Sequence, residues 1–213
     1  MATPARKGRP PVWDFVLRAR KAPTTAALAT PEPGDGRFLE VVSHCVVSAL
    51  FASRRARADT TIHLAFDGPA APPKVVRLAG AELGSLPGLD ERSIWQVLRQ
   101  ALERGQNLAL AQSCPVGPGI WVAKMSFEQL VRERLAAGPV YAMAPAGDDI
   151  RTTPLEPPAS FLFTDHLAMP RKQDRYLTRL GVRALSVGPE MLLASHCMVV
   201  VHNELDRRGA GSP

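Results

Sequence analysis

Helical periods and short apolar runs alternate along the chain. Apolar residues recur at helical spacing over residues 37–54 and again over 91–103, where Asp90 is placed to cap the helix. Ser126 and Gln129 form a capping-box pattern that opens a third helix, and residues 171–180 predict a fourth. Shorter apolar runs predict strands at 12–19, 60–66, 74–78, 120–124, 140–143, 160–164 and 184–187. This order predicts an α/β fold with a mainly parallel sheet and helices on both faces.

The ends of three predicted strands indicate where a ligand would bind. In open parallel sheets, ligands bind beyond the carboxyl ends of the strands, so loops 144–149, 165–169 and 188–191 are expected to share one rim. The last strand runs into Gly188 and Pro189, a pair that allows close backbone approach and suits a first helical turn. We therefore expect a helix to begin directly after this pair, with its free N–H groups facing the ligand.

Composition narrows the class of protein. The 213 residues, 46% hydrophobic and 22% charged, are typical of one soluble globular domain, and no apolar run approaches the ~18 residues of a membrane span. Residues 1–11 are basic and lack the apolar segment of a secretory signal. They predict a disordered arm before a single domain at 12–208, with a tail at 209–213.

Cysteine usage and charge add a location and a partner. The three cysteines are far apart and odd in number, which excludes a disulfide framework and a zinc ribbon and predicts a reducing cytoplasm, with no bound metal. The net charge of +6 and the pI of about 9.7 favour a polyanionic partner such as RNA.

The common cofactor motifs are missing from the sequence. It contains no Gly-x-Gly-x-x-Gly, no P-loop and no Gly-x-Ser-x-Gly elbow, so any cofactor must be held by a less common arrangement.

Several segments in a fixed order carry a resemblance to a known family. They include Leu-Ser-Val-Gly-Pro at 185–189 and, most specifically, His-Asn-Glu-Leu-Asp-Arg-Arg at 202–208; the others are 45–51, 62–69, 90–93, 164–166 and 180–181. With them the chain resembles the archaeal-type tRNA pseudouridine N1-methyltransferases, members of the SPOUT (trefoil-knot) superfamily, from about residue 12 to residue 208.

The resemblance implies a reaction, a cofactor and an assembly. It implies methyl transfer from S-adenosylmethionine (SAM) to N1 of pseudouridine, at position 54 of tRNA in the archaeal members. It also implies a homodimer whose residues 139–208 tie a deep trefoil knot. Carried over onto this chain, the cofactor would be held against the knot loops by six residues: Met143, Thr164, Val187, Gly188, Leu193 and Cys197.

Candidate catalytic and RNA-binding residues follow from the same resemblance. The chemistry needs alignment of the two reactants and modest help in removing the N1 proton, and Glu40 and Asp165 are the carboxylates predicted to give that help. Three basic clusters are predicted phosphate contacts; their members are Arg54, Arg55 and Arg57, then Arg171, Lys172 and Arg175, and lastly Arg207 and Arg208.

Two departures from the family pattern leave alternatives open. Where archaeal members have glycines around their Asp-His pair, this chain has Thr164 and Ala168, and the segment resembles the bacterial branch of the family. Archaeal members also have an aspartate before the apolar run of the first long helix, where the nearest carboxylate of this chain is Glu40. One alternative is therefore a SPOUT methyltransferase for another RNA, such as rRNA. A second is a non-catalytic RNA-binding protein that kept the fold and lost the cofactor.

Overall fold

The computed structural model describes residues 12–29 and 39–210. The predicted basic arm at 1–11 lies outside the described residues, as do 30–38 and the tail from 211 onward. The strands are β1 (Trp13–Ala19), β2 (Phe51–Ala52), β3 (Arg55–Ala56), β4 (Thr60–Phe66), β5 (Lys74–Ala79), β6 (Ser113–Gly117), β7 (Ile120–Ala123), β8 (Val140–Asp149), β9 (Ala159–Thr164) and β10 (Arg183–Ser186). The helices are α1 (Leu39–Leu50), α2 (Glu91–Arg104), α3 (Phe127–Ala137), α4 (Arg171–Leu180) and α5 (Ala194–Ala210), with a short 3-10 turn at Ala26–Leu28.

One eight-stranded sheet organises the chain. Its order is β10-β8-β9-β1-β4-β5-β7-β6, and the first five of these strands are parallel while the last three join antiparallel. The predicted, mainly parallel sheet is confirmed. The sequence analysis did not predict β6, an edge strand that contains Pro115 and Gly117, residues that edge positions tolerate.

Helices cover both faces of the sheet, as predicted. Helices α1, α2 and α5 pack on the face that carries Phe15, Leu17 and Ile62. Helices α3 and α4 cover the opposite face, around Val16 and Leu162. The alternation of side chains along β1 supplies both cores, because successive residues of a strand point to opposite faces.

Local capping signals set the starts of two helices. Asp90 accepts a hydrogen bond from the Ser93 N–H at 3.0 Å, and Ser126 accepts one from the Gln129 N–H at 3.1 Å. These are the predicted N-caps of α2 and α3, and both predictions are confirmed.

Helix α1 is shorter than the sequence analysis predicted. It ends at Leu50, and the chain then forms the β2–β3 hairpin, with Ser53 at a φ of 58° in the turn. The Arg57 N–H bonds to the Leu50 oxygen at 2.8 Å, which replaces a helical bond by a hairpin bond. The predicted extension to residue 54 is wrong, and Arg54 and Arg55 lie on the hairpin.

Helix α5 begins later than predicted. It starts at Ala194 rather than directly after Gly188 and Pro189, and residues 189–193 form a non-helical loop. Gly188 has a φ of 143°, far from the helical region, so the chain leaves β10 in a direction that a helix cannot continue. The expected helix N-terminus beside Gly188 is therefore wrong.

Strand β8 also differs from the sequence prediction, because it contains a bulge. Ala142 pairs with Ala184, but the next residue of β10, Leu185, pairs with Asp148, so residues 143–147 bulge between two paired segments. A Cβ on Gly147 would lie 2.5 Å from the Leu185 nitrogen, so no other residue fits there without a shift. The predicted loop at 144–149 is this bulge and the paired strand end that follows it.

Candidate functional site

The carboxyl ends of the parallel strands meet at one rim. Register places Ala142 beside both Leu162 and Ala184, so Met143, Thr164 and Val187 follow within three residues on the same edge. Strand β1 ends beside β9, where the Asp165 N–H bonds to the Arg18 oxygen at 3.1 Å. The structure therefore brings together four of the six residues predicted to hold the cofactor: Met143, Thr164, Val187 and Gly188.

Gly188 offers backbone to open space at this rim. Its φ of 143° is a conformation that residues with a side chain rarely adopt, and a Cβ built on it finds no atom within 4 Å. The Ser186 hydroxyl contacts both the Gly188 nitrogen and the Gly188 oxygen and holds the turn. Met143, Val187 and Leu192 pack on the core beside it. Open backbone next to apolar side chains fits a ligand that combines polar groups with an apolar chain and a base, as SAM does.

Asp165 shapes the loop that follows β9. Its side chain is only 3% exposed, and its two oxygens accept hydrogen bonds from the Arg20 N–H at 3.0 Å and the Leu167 N–H at 2.8 Å. Burial raises the pKa of this carboxyl, although the backbone hydrogen bonds act in the opposite direction. The structure places Asp165 at the rim, with its oxygens already bonded to backbone; its role in proton removal stays a prediction.

Two buried cysteines lie under the same rim. Burial raises the pKa of the Cys45 thiol, and the neighbouring Asp165 and Cys197 raise it further. Burial also raises the pKa of Cys197, whose sulfur lies 3.9 Å from the Leu192 oxygen. Both thiols are therefore protonated at neutral pH and behave as small apolar groups rather than as nucleophiles.

Two predicted site residues face solvent in the single chain. Leu193 is 61% exposed in the loop before α5, and Glu40 is exposed in the first turn of α1. The Leu193 backbone oxygen accepts a hydrogen bond from the Cys197 N–H at 2.9 Å, although its side chain is exposed. The predicted roles of Leu193 and Glu40 stay predictions.

Comparison with protein families identifies the chain. Residues 12–210 match the model of a family described as "Putative SAM-dependent RNA methyltransferase". The chain belongs to this methyltransferase family. The predictions of a methyltransferase family, of an enzyme and of SAM as its cofactor are thereby confirmed.

Similar proteins cover nearly the whole methyltransferase. A "Putative pseudouridine methyltransferase" of Vibrio cholerae is 34% identical over 197 residues, which is 92% of this chain and 98% of the relative. A protein of the same name from Photobacterium profundum is 35% identical over 192 residues, 90% of this chain and 97% of the relative. The solved structure of Archaeoglobus fulgidus Nep1 bound to S-adenosylhomocysteine matches with a TM-score of 0.59 at 10% identity, covering 94% of this chain and 99% of that one. This last likeness shows the SPOUT fold.

The first two of the three predicted basic clusters lie in different places on the methyltransferase. Arg54 and Arg55 are exposed on the hairpin near the amino ends of the strands, and Arg57 is paired with Asp206 through bonds of 2.8 and 2.7 Å. An open groove of about 540 Å³ lies beside this hairpin, far along the fold from the rim. The second cluster, Arg171, Lys172 and Arg175, is exposed on α4, which begins directly after the rim loop 165–169.

The closing segment 202–208 fastens the last helix to the rest of the fold. His202 donates from Nε2 to the Ala49 oxygen at 2.8 Å and stacks on Phe15 with ring centres 4.5 Å apart. Arg208 donates to the Thr153 oxygen at 2.8 Å and also to the Ile150 oxygen, in the turn that follows β8. In this segment, which carries the most specific resemblance in the sequence, His202 and Arg208 therefore connect α5 to α1, to β1 and to the turn after β8.

Arg18 is a rim residue that the sequence analysis missed. Its Nε and Nη2 donate to Asp67 Oδ2 at 3.0 and 2.9 Å, and its Nη1 contacts Met169 Sδ at 3.3 Å and Gln173 Oε1. Its guanidinium lies 4.6 Å from the centre of the Phe127 ring. One buried arginine thus supports the loop after β9 from below. The sequence signal that could have indicated a buried, bonded arginine was its position as the single basic residue in an otherwise mainly apolar strand.

A second missed group lies under α3. Asp14 accepts from His63 Nε2 at 2.8 Å and from Arg134 Nη1 at 3.0 Å. Burial alone would raise the pKa of Asp14, but His63 and Arg134 outweigh it and lower that pKa; burial lowers the pKa of His63. The arrangement is an ionised Asp14 held by Arg134 and by a neutral His63, and it joins β1, β4 and α3.

The described residues offer neither a cluster of metal ligands nor a membrane-spanning helix. Within residues 12–29 and 39–210, no group of three or more His, Cys, Asp or Glu side chains is placed to hold a metal ion. In the same ranges, none of the helices has the length and apolar character that crossing a membrane requires.

Proposed function

We propose that this methyltransferase methylates N1 of a pseudouridine in RNA, with tRNA as the RNA. The observation that carries the proposal is the family match over residues 12–210, together with relatives above 30% identity that are named for pseudouridine. An open backbone at Gly188, on the rim where the strands end, supports a cofactor site there.

The cofactor would be held by the six residues named from the resemblance, which are Met143, Thr164, Val187, Gly188, Leu193 and Cys197. When bound, SAM supplies a methyl group on a positively charged sulfur. The buried, protonated thiol of Cys197 and the half-buried Val187 give that site an apolar wall, and the Gly188 backbone leaves it room. Thr164, where archaeal relatives have glycine, narrows the entrance beside it.

The substrate needs little from the protein beyond alignment. Pseudouridine N1 carries a weakly acidic proton, so holding the base in line with the methyl group and accepting that proton are the two tasks. Asp165 and Glu40 are the proposed carboxylates. Because both oxygens of Asp165 already accept backbone hydrogen bonds, we assign it the positioning of loop 165–169 and leave Glu40 as the proton acceptor.

The domain organisation and the assembly are part of the proposal. One domain would span 12–208, with a knot over approximately 139–208, and would act as a cytoplasmic homodimer. The bonds of Arg208 to the oxygens of residues 150 and 153 place the last helix against the turn after β8, within the segment of the proposed knot. Exposed apolar side chains at Met191, Leu193 and Val199 support a second copy packing against α5.

Two experiments separate the proposed function from the two alternatives, a non-catalytic RNA-binding protein and a methyltransferase for rRNA. The titration of the purified protein with SAM by calorimetry tests the cofactor site, with Gly188→Trp as the variant that fills the open space. We expect binding in the micromolar range, roughly −8 kcal/mol, that Gly188→Trp abolishes while the fold persists by circular dichroism. Absence of binding to the folded wild type would defeat the enzyme and favour the non-catalytic RNA-binding protein.

The substrate is then decided by methylation assays. Transcripts of tRNA and of rRNA fragments, each with and without pseudouridine, are incubated with labelled SAM. We expect label only in tRNA that contains pseudouridine. Label in rRNA alone would replace tRNA by rRNA, and label in transcripts without pseudouridine would exclude the proposed base.

A further inference from the structure

The outer surface of α4 carries four basic side chains. Arg171, Lys172, Arg175 and Arg179 are all exposed, and Asp174 is the helix's single acidic residue. Only Leu177 is buried, so the fold uses a small part of this helix for packing. Four cations on a surface that folding does not need require another explanation.

Folding contacts do not occupy these cations. Within residues 12–29 and 39–210, no hydrogen bond or ion pair engages the side chains of the four basic residues of α4. On the hairpin the situation differs, because Arg57 is bonded to Asp206 and Arg55 lies close enough to lower the pKa of that carboxyl. The hairpin cations partly serve the fold, while those of α4 are available to a partner.

Helical geometry arranges the α4 cations in a line. Arg171, Arg175 and Arg179 follow one another at intervals of four residues, so they share one face and are spaced by about 6 Å along the axis. A line of evenly spaced cations fits a linear polyanion better than it fits a single small anion.

Helix α3 adds an arginine beside α4, held in place by Tyr176. Arg132 Nη2 donates to the Tyr176 hydroxyl at 2.5 Å, and its guanidinium lies 5.9 Å from the centre of the Tyr176 ring. Tyr176 itself packs on the core beneath α4. We call the exposed surface formed by Arg132, Arg171, Lys172, Arg175 and Arg179 the α4 ridge.

The α4 ridge starts at the cofactor rim. Pro170 occupies the N-cap position of α4 and follows loop 165–169 directly, and Gln173 of the first turn contacts Arg18 beneath that loop. A strand bound along the ridge would therefore reach the rim. The hairpin, at the other end of the sheet, offers no such path.

We propose that the α4 ridge binds the backbone phosphates of the substrate RNA and leads the strand to the rim. Arg179 and Arg132 thereby join the residues predicted from the sequence, and α4 rather than the hairpin becomes the principal RNA contact. This inference rests on the proposed function, because the partner is its RNA substrate.

The test compares two variants with equal loss of charge. One is Arg171→Gln/Arg175→Gln/Arg179→Gln on α4; the other is Arg92→Gln/Arg99→Gln/Arg104→Gln at exposed positions of α2. Binding of labelled bulk tRNA is measured by filter retention over a series of salt concentrations. If three phosphate contacts are lost, the slope of log K against log salt falls by about 2 to 3 units, and affinity at about 0.15 M salt falls at least tenfold. SAM affinity is measured on every variant.

Each outcome decides something different. A large loss for the α4 variant, with a small one for the α2 variant and unchanged SAM affinity in both, supports the α4 ridge. Equal losses for the two variants would overturn it, because total charge alone would explain binding. A larger loss in Arg54→Gln/Arg55→Gln would move the contact to the hairpin. If the wild type binds SAM but not the labelled tRNA, the proposed tRNA substrate itself fails.

Discussion

His202 is buried where α5 meets α1 and β1, and it is neutral there. Burial lowers its pKa from 6.5 to about 4, and the positive charge of Arg57 contributes to the shift. In the unfolded chain the imidazole takes up a proton near pH 6.5, whereas the folded protein resists this down to about pH 4. The free energy of unfolding is therefore highest above pH 6.5 and falls as the pH decreases towards 4.

His202→Gln should reduce this dependence on pH. Glutamine can still donate to the Ala49 oxygen but does not titrate, so about 3 kcal/mol of the loss between neutral pH and pH 4 should disappear. Urea unfolding followed by tryptophan fluorescence at several pH values measures it. His44→Gln, at an exposed position of α1, should keep the acid dependence of the wild type; a His202→Gln profile parallel to the wild type would contradict the explanation.

At the scale of elements, Arg18 joins the end of β4, the loop after β9 and the start of α4. Arg18→Met leaves Asp67 and Gln173 without this donor, so we expect the free energy of unfolding to fall by about 2 kcal/mol. SAM affinity should fall as well, because loop 165–169 loses a support. Arg18→Lys should be intermediate, since an ammonium cannot reproduce the planar arrangement of donors.

The matched control for this prediction is Arg99→Met at an exposed position of α2. It removes the same group from a surface where it has no comparable contacts. If Arg18→Met binds SAM as tightly as this control does, the loop does not depend on Arg18, and the contact serves stability alone.

Elements whose signals are local could be predicted from the sequence. The caps at Asp90 and Ser126 and the bounds of α4 depend on residues within a few positions, and the structure reproduces them. The hairpin after α1, the loop before α5 and the bulge in β8 depend on partners elsewhere in the chain. The bulge, for example, exists because Leu185 pairs with Asp148, and no local pattern contains that pairing.

The site shows the same division. The rim loops could be located from strand ends, and the resemblance supplied Gly188 and Cys197. The support beneath them could not be predicted, because Arg18 and Asp67 are 49 residues apart. The same holds for the Arg134–Asp14 pair under α3, which spans 120 residues and lies at the opposite end of β1. Long-range ion pairs of this kind leave no periodicity in a single sequence.

At the scale of the whole molecule, an apolar surface surrounds the start of α5. Met191 is 80% exposed, Leu193 61% and Val199 53%, on a segment whose inner face lines the proposed cofactor site. Such a surface is costly to leave in water, and a second copy of the chain would cover it. A dimer formed here would place the exposed Leu193 in an enclosed environment next to the cofactor.

Leu193→Asp/Val199→Asp should convert a dimer to a monomer, because two carboxylates would be buried without partners. Light scattering coupled to gel filtration measures the mass. Leu110→Asp changes an apolar residue that is 70% exposed far from α5 and should leave the dimer intact. A wild type that remains monomeric at high concentration, or a double variant that remains dimeric, would refute this interface.

The contacts of α5 with earlier parts of the chain affect the order in which the protein folds during synthesis. A ribosome releases the chain from its amino end, so β10, Cys197 and Arg208 emerge after the elements that they contact. Strands β1, β4, β8 and β9 can pair before β10 emerges, but the proposed cofactor site lacks a wall until α5 has left the ribosome. A growing chain that still lacks α5 should therefore not bind SAM at this site.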